Sequence, residues 1–285
     1  MRKLTLLALI GLVSAGCGRQ YATPAEQADA MHAAHAGDAP DATAAVAGVD
    51  TFRTEAREVT YATIRGRPVR GYLARPSDVD FEGAPPAIVL VHEWWGLNDN
   101  IRLMARRLAS EGYITLAVDL YDGHVATTPD SAMALRRIAS DRQDALMSSL
   151  DQAFTHLRVV QGAPHIGIIG WCYGGGWALE TALAHPERVD AVVMYYGSVV
   201  TDSDQLATLD APLLGHFGAD DESIPVAEVR AMEAALEGLG KDVDIHVYEG
   251  AGHAFANSSG RMYVPAAADL AWERTTGFFR EAFSR

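Results

Sequence analysis

From Glu58 to Leu73 polar and apolar residues alternate across Arg65-Gly66, the period of a half-buried β-hairpin, which belongs at the edge of a sheet. Beyond it the pattern changes. Ala87–Val91, Tyr113–Val118, His165–Ile169, Ala191–Met194, Pro212–His216 and Val243–Val247 are short apolar runs, as expected of parallel strands buried on both faces. Helical spacing fills the stretches between them. Leu135, Ile138, Leu146, Leu150, Phe154 and Leu157 mark one face of a long helix, Val229, Met232 and Leu236 mark a second, and Leu270, Phe278 and Phe279 predict a closing C-terminal helix. Strands alternating with helices predict a mostly parallel, doubly wound α/β sheet with the hairpin at its edge. Its ligand site belongs at the carboxyl ends of the strands.

The beginning of the chain follows other rules. Arg2 and Lys3 precede an apolar run from Leu4 to Val13 and then Ser14-Ala15-Gly16-Cys17, the layout of a short secretory signal rather than a membrane span. Small residues ending in Gly before Cys resemble a bacterial lipobox, although Ser14 stands where Leu is commoner. This makes residues 1–17 a signal peptide whose Cys17 becomes the lipidated first residue, and the protein an exported periplasmic or cell-surface lipoprotein. Residues 18–51 are rich in Ala, Asp, Gly, Thr and Pro with almost no large apolar side chain, so they cannot bury enough surface to fold alone and read as a tether. His32 and His35 in that stretch lack further metal ligands around them and read as solvated linker residues. Residues 52–285 have the length of a single α/β domain with a good core.

Charge and cysteine count narrow the function. The formal charge is −14 and becomes −16 once Arg2 and Lys3 are removed, which excludes nucleic acid and anionic headgroups as partners. Membrane contact is then expected through the lipid alone, and the domain is expected to be a monomer. With Cys17 lipidated, Cys172 has no disulfide partner, and a lone thiol in an oxidising compartment is better explained by chemistry than by packing.

That cysteine sits in Gly170-Trp171-Cys172-Tyr173-Gly174, where a predicted strand turns sharply into a helix. A G-x-C-x-G at such a place is the nucleophile elbow of an α/β-hydrolase with sulfur replacing oxygen; taken alone it also fits a Gly-rich turn around a small buried hydrophobe. A thiol needs a base, and the base needs an orienting acid. After the strand ending at His216 come Asp220 and Asp221, and after the strand ending at Val247 comes Gly250-Ala251-Gly252-His253. Singly these read as a helix-capping acid pair and a loop histidine. Together they give nucleophile, acid and base in the order this fold uses. After Ala87–Val91 stands His92-Glu93-Trp94-Trp95-Gly96. It is not a zinc motif, because H-E-x-x-H needs His at position 96, and neither metal nor organic cofactor is expected. This loop supplies one oxyanion N–H in the fold, the other coming from Tyr173.

His92-Glu93 with Gly96 and Asn98, Asp119-Leu120-Tyr121, Gly170-x-Cys172-x-Gly174-Gly175, Tyr195-Tyr196-Gly197, Asp221-x-x-Ile224-Pro225 and Tyr248-Glu249-x-Ala251-Gly252-His253-x-Phe255 run in order over roughly Phe81 to Phe279. In this the chain resembles the dienelactone hydrolase family. The resemblance implies Cys172 as nucleophile, His253 as base, Asp221 rather than Asp220 as orienting acid, and Glu93 as the glutamate that contacts the resting thiol and moves when substrate binds. It also implies the backbone N–H groups of Trp94 and Tyr173 as oxyanion donors. The chain departs from the family at two arginines that clamp a substrate carboxylate: their places hold Gly123 and Asn257, which cannot make a bidentate clamp. Trp94, Trp95, Trp171 and Tyr121 would instead line an aromatic pocket beside Asn257, suited to a less polar ester. The expected activity is hydrolysis of a small-molecule carboxylic ester or lactone through a thiol acyl-enzyme. A thioesterase or acyl transferase on the same triad is the alternative within enzymes, and a noncatalytic lipoprotein that binds a ligand or senses thiol oxidation is the alternative outside them.

Overall fold

A computed structural model describes His32, Ala33, His35 and residues 52–77 and 83–285. The expected signal peptide, Cys17 and most of the tether lie outside the described residues. β1 (Thr54–Ile64) and β2 (Arg67–Pro76) form the edge hairpin, turning at Arg65 and Gly66 with φ of 51° and 77°. There follow β3 (Ala87–Val91), α1 (Asp99–Ser110), β4 (Ile114–Val118), α2 (Pro129–Ser140), α3 (Gln143–Thr155), β5 (Ile166–Trp171), α4 (Tyr173–Ala184), β6 (Ala191–Tyr195), the short α5 (Ser203–Leu206), β7 (Leu213–Gly218), α6 (Val226–Gly238), β8 (Val243–Tyr248) and α7 (Pro265–Ala282). The eight strands form one sheet in the order β1-β2-β4-β3-β5-β6-β7-β8. β1 and β2 are antiparallel, and β3 to β8 all run parallel. This is the α/β-hydrolase architecture that the apolar runs predict.

Alternation along each strand builds a core on either face. Ala87, Val89 and Val91 of β3 point with Ile168 and Val192 to the layer of α3, α4 and α6, while Ile88, Leu90, Ile169 and Val193 point to α1 and α7. Each fully buried aliphatic side chain contributes about 1.5–3 kcal/mol. The central strands therefore hold the carboxyl-end loops on a rigid frame.

Three expectations change. The long helix is two, α2 and α3, separated at Asp141-Arg142, where Arg142 donates to Asp122 in the loop after β4. Because α2 buries only Ala132 and Ala139, one narrow stripe, Ile138 faces outward at 55% exposure. In α7 the inward stripe is Ala267, Ala271, Trp272, Thr275 and Phe279, which leaves Leu270 exposed. β8 is a sheet edge rather than a buried strand, with Asp244 outside.

Candidate active site

Cys172 stands between β5 and α4 with φ 53° and ψ −116°. A positive φ at a residue with a side chain costs on the order of 1–3 kcal/mol and persists only where the surroundings fix it. They do so here: the Cys172 N–H donates to the Tyr195 carbonyl on β6 at 3.0 Å, and its own carbonyl accepts from Gly175 and Gly176 at 3.0 and 3.3 Å. Glycine is required on either side. A Cβ on Gly170 would run into the Gly174 carbonyl, and one on Gly174 into the Val91 carbonyl. The thiol is thus driven to the head of α4, where the first helical N–H groups have no intrahelical acceptors.

The loop after β7 brings in Asp221. Its Oδ1 accepts from the backbone of Ser223 and Ile224 at 2.8 and 2.9 Å, and Oδ2 accepts from His253 Nδ1 at 2.8 Å. Both side chains are sealed from solvent, at 0% and 1% exposure. Asp220 is exposed and contributes only its backbone N–H to Ala251, so geometry selects the same aspartate as the spacing to Ile224-Pro225. Burial alone would depress the His253 pKa, but the charge of Asp221, then that of Cys172, and hydrogen bonds to both hold it well above the ordinary histidine value. With Nδ1 committed to Asp221, Nε2 is the nitrogen left for the thiol proton.

Glu93, in the loop after β3, is buried. Its carboxylate accepts from Asn257 Nδ2 at 2.5 Å and from the Tyr196 hydroxyl at 3.4 Å. The amide orientation is fixed from its other end: Asn257 Oδ1 accepts from the Ser259 backbone and hydroxyl at 2.9 and 2.6 Å, so the NH2 must face Glu93. Asn257, expected among the substrate contacts, is therefore committed to Glu93 and Ser259. Tyr196, for which the sequence indicated no role, also packs on His253 with ring centroids 5.3 Å apart, and burial together with the charges of Glu93 and Cys172 raises its pKa well above the ordinary value. Its signal was its place at the carboxyl end of a predicted central strand. His92 anchors the loop instead of taking part in chemistry: Nδ1 donates to the Glu93 carbonyl at 2.5 Å, Nε2 accepts from Leu120 at 3.2 Å, and burial lowers its pKa.

The expected pocket residues separate into two groups. Trp94 and Trp95 are buried at the site with their rings 5.0 Å apart, and Tyr121 packs on His92 at 4.7 Å and Tyr173 at 6.0 Å. Trp171 shares the buried layer of Trp94 and Trp95 but lines a different space. Its ring lies against Tyr195 and lines a cavity of about 250 Å³ with Leu103, Met104, Arg107 and Trp272. Gly123 has φ 88° and donates its N–H to Asp119; the positive φ explains glycine there. Arg136 stands with its guanidinium 5.9 Å from the Tyr173 ring.

The sequence treats His35 as a solvated linker residue, and here the structure differs. Its side chain is 2% exposed and its ring lies 5.0 Å from Trp94 and 5.7 Å from both Trp95 and His253. Periodicity missed it because a single ring seated among aromatic side chains leaves no repeating pattern.

Residues 69–283 match the model of the dienelactone hydrolase family. A Methylorubrum extorquens protein provisionally named a carboxymethylenebutenolidase is 36% identical over 228 residues, covering 75% of this chain and 77% of the relative. A Klebsiella pneumoniae structure provisionally titled a dienelactone hydrolase superposes with a TM-score of 0.70 at 29% identity, over 80% of this chain and 98% of that one. A dienelactone hydrolase-like promiscuous phosphotriesterase from metagenomic libraries has the same fold at 21% identity, with a TM-score of 0.70 over 81% and 99% of the two chains.

Proposed function

Because this chain belongs to the dienelactone hydrolase family, we propose that it hydrolyses a carboxylic ester or lactone through a Cys172 acyl-enzyme. One observation carries the reading: the residue in the strained elbow is a thiol, and a buried imidazole oriented by a buried carboxylate at 2.8 Å is electrostatically tied to it.

In this mechanism His253 Nε2 takes the Cys172 proton, Asp221 stabilises the imidazolium, and the thiolate adds to the ester carbonyl. The carbonyl electrons move to an oxyanion held by the backbone N–H groups of Trp94 and Tyr173. The carbon–oxygen bond to the alcohol breaks as His253 returns the proton to the leaving oxygen. Water, deprotonated by the same imidazole, then cleaves the thioester, giving the acid and restoring the thiol. Glu93, gripped by Asn257 and Tyr196, positions the loop that carries Trp94 and places a carboxylate beside the thiol, which opposes ionisation until substrate arrives.

With Gly123 and Asn257 at the family's arginine places, the preferred substrates are neutral. The signal sequence supports an exported, lipid-anchored protein, with Cys17 carrying the lipid. A chromogenic short-chain ester tests the activity directly: a burst of alcohol equal to the enzyme concentration, and a mass increase of one acyl group on Cys172, are the expected results. Hydrolysis by a Cys172→Ala variant at the native rate overturns the reading.

A further inference from the structure

One ring in the site comes from ahead of the hydrolase domain. His35 meets the catalytic imidazole nearly edge-on, at an interplanar angle of 87°, and meets Trp95 at 86°. Tyr196 closes on the same imidazole at 60°. His253 therefore meets one ring from the segment before the domain and one from just after β6, and the first of these is backed by the tryptophans of the loop after β3. The neighbouring anchor is weak: His32 Nε2 lies 3.1 Å from Asp130 Oδ1, with side chains 43% and 94% exposed, and pairs of that kind contribute little. The His35 ring itself packs against two buried tryptophans, which close packing keeps from retreating.

We propose that His35 is a specificity-determining residue that limits the size of the alcohol portion of the ester. The proposal rests on the hydrolytic reading above. When the acyl-enzyme forms, His253 hands its proton to the leaving oxygen, so the atoms attached to that oxygen must lie beside the imidazole. A ring already in contact with that imidazole bounds the space they occupy. Small alkyl alcohols and compact lactones fit within the bound, while a fused-ring aryl alcohol meets the His35 edge. Ring volume rather than charge sets the limit, so Phe should serve in place of His and Ala should not. Discrimination by a filled apolar pocket runs to about 10–200-fold per group, which fixes the size of effect to look for.

The test measures kcat/KM of the full-length protein, His35→Ala and His35→Phe on methyl, n-butyl and 1-naphthyl acetate, comparing variant with wild type for each ester so that intrinsic reactivity cancels. His35→Ala is expected to raise the naphthyl-to-methyl ratio at least about tenfold, and His35→Phe to keep it near the wild-type value. An unchanged ratio in the Ala variant overturns the proposal. So does an equal gain on every ester, which makes the ring a simple plug, or an equal loss, which makes it structural. A second measurement needs no turnover: the rate of Cys172 alkylation by iodoacetamide against N-(1-naphthyl)iodoacetamide, mapped by mass spectrometry. If no ester is cleaved yet the alkylation cut-off relaxes in His35→Ala, the hydrolytic reading fails and the size limit stands. If esters are cleaved and neither ratio moves, His35 has no such role and the hydrolytic reading stands.

Discussion

Replacing Asp221 by Asn changes one atom and should cost most of the activity. The carboxylate makes three hydrogen bonds, to Ser223 and Ile224 through Oδ1 and to His253 through Oδ2. Asn keeps the first two, since its carbonyl oxygen takes the place of Oδ1. At the third it puts an NH2 where an acceptor stood, so His253 Nδ1 must accept, its proton moves to Nε2, and the neutral ring can no longer receive a proton from the thiol. The imidazolium also loses a charge-assisted hydrogen bond between side chains that are 1% and 0% exposed, at about 1.5–3 kcal/mol, or roughly one to two decades in rate. With the inverted tautomer added, the expected fall in kcat is about three to four decades, the scale such a substitution reaches in serine triads. The second amide hydrogen is left without an acceptor and destabilises the fold by about 1–3 kcal/mol, so rates belong at 20 °C with folding checked by near-UV circular dichroism. Asp220→Asn is the control, because that side chain is exposed and its backbone bond survives; it should stay within about twofold. Equal losses at the two positions, or a folded Asp221→Asn enzyme with native activity, would refute the argument.

Further outcomes follow from the same geometry. Cys172→Ala and His253→Ala should each lower kcat at least about a thousandfold, and the double variant should lose little more, because members of one unit fail together; additive losses in single-turnover assays would separate the two residues. Cys17→Ser should move the protein from the membrane to the soluble fraction with its activity intact, whereas mass spectrometry showing an unmodified N-terminus elsewhere in the native protein would reject lipidation. Neutral esters should exceed a carboxylate-bearing lactone in kcat/KM by about two decades, from two missing charge-assisted contacts, and dienelactone being the better substrate would point to another cation such as Arg136. His216 is buried with its pKa well below the ordinary 6.5, so the unfolded chain binds a proton there that the folded chain refuses. Stability should then fall as pH drops below about 6.5, by up to about 1.4 kcal/mol per unit, and a His216→Gln variant that keeps the full slope in urea titrations at pH 7, 6 and 5 would contradict this.

How far the sequence could be read depended on whether a residue's role was local. Mostly apolar runs announced β3 to β7 because burial on both faces admits a polar side chain only where it is hydrogen-bonded, as Thr115 and His216 are, and Cys172 announced itself because the elbow admits only glycine at 170 and 174. Asp221 and His253 followed from strand order, since parallel strands bring their carboxyl ends together whatever lies between. The misreadings are all cases in which a side chain's partner is remote in the chain. Ile138 has helical spacing but faces outward, because the sheet accepts only a narrow stripe of α2. Trp171 adjoins the nucleophile in sequence, yet its ring lies against Tyr195 and lines a separate cavity with Leu103, Arg107 and Trp272. Asn257 looked like a gap where a substrate clamp belonged; its amide is instead bonded to Glu93, 164 positions earlier.

That last exchange bears on chemistry as well as on specificity. An arginine at position 257 would set a full positive charge against Glu93, whereas the amide offers only a dipole and the Tyr196 hydroxyl adds a longer bond. In the proposed mechanism, where Glu93 opposes ionisation of the thiol, an amide at that contact neutralises the carboxylate less than a guanidinium would. Asn257→Arg should therefore act twice: it should draw anionic substrates toward the site, and it should neutralise Glu93 and let Cys172 ionise more readily. The first effect is a ratio of kcat/KM between anionic and neutral esters. The second is the pH dependence of Cys172 alkylation, which should shift toward lower pH in the variant. A change in the ester ratio without a change in the alkylation profile would show that Glu93 does not restrain the thiol, and would leave its bond to Asn257 as a purely architectural contact.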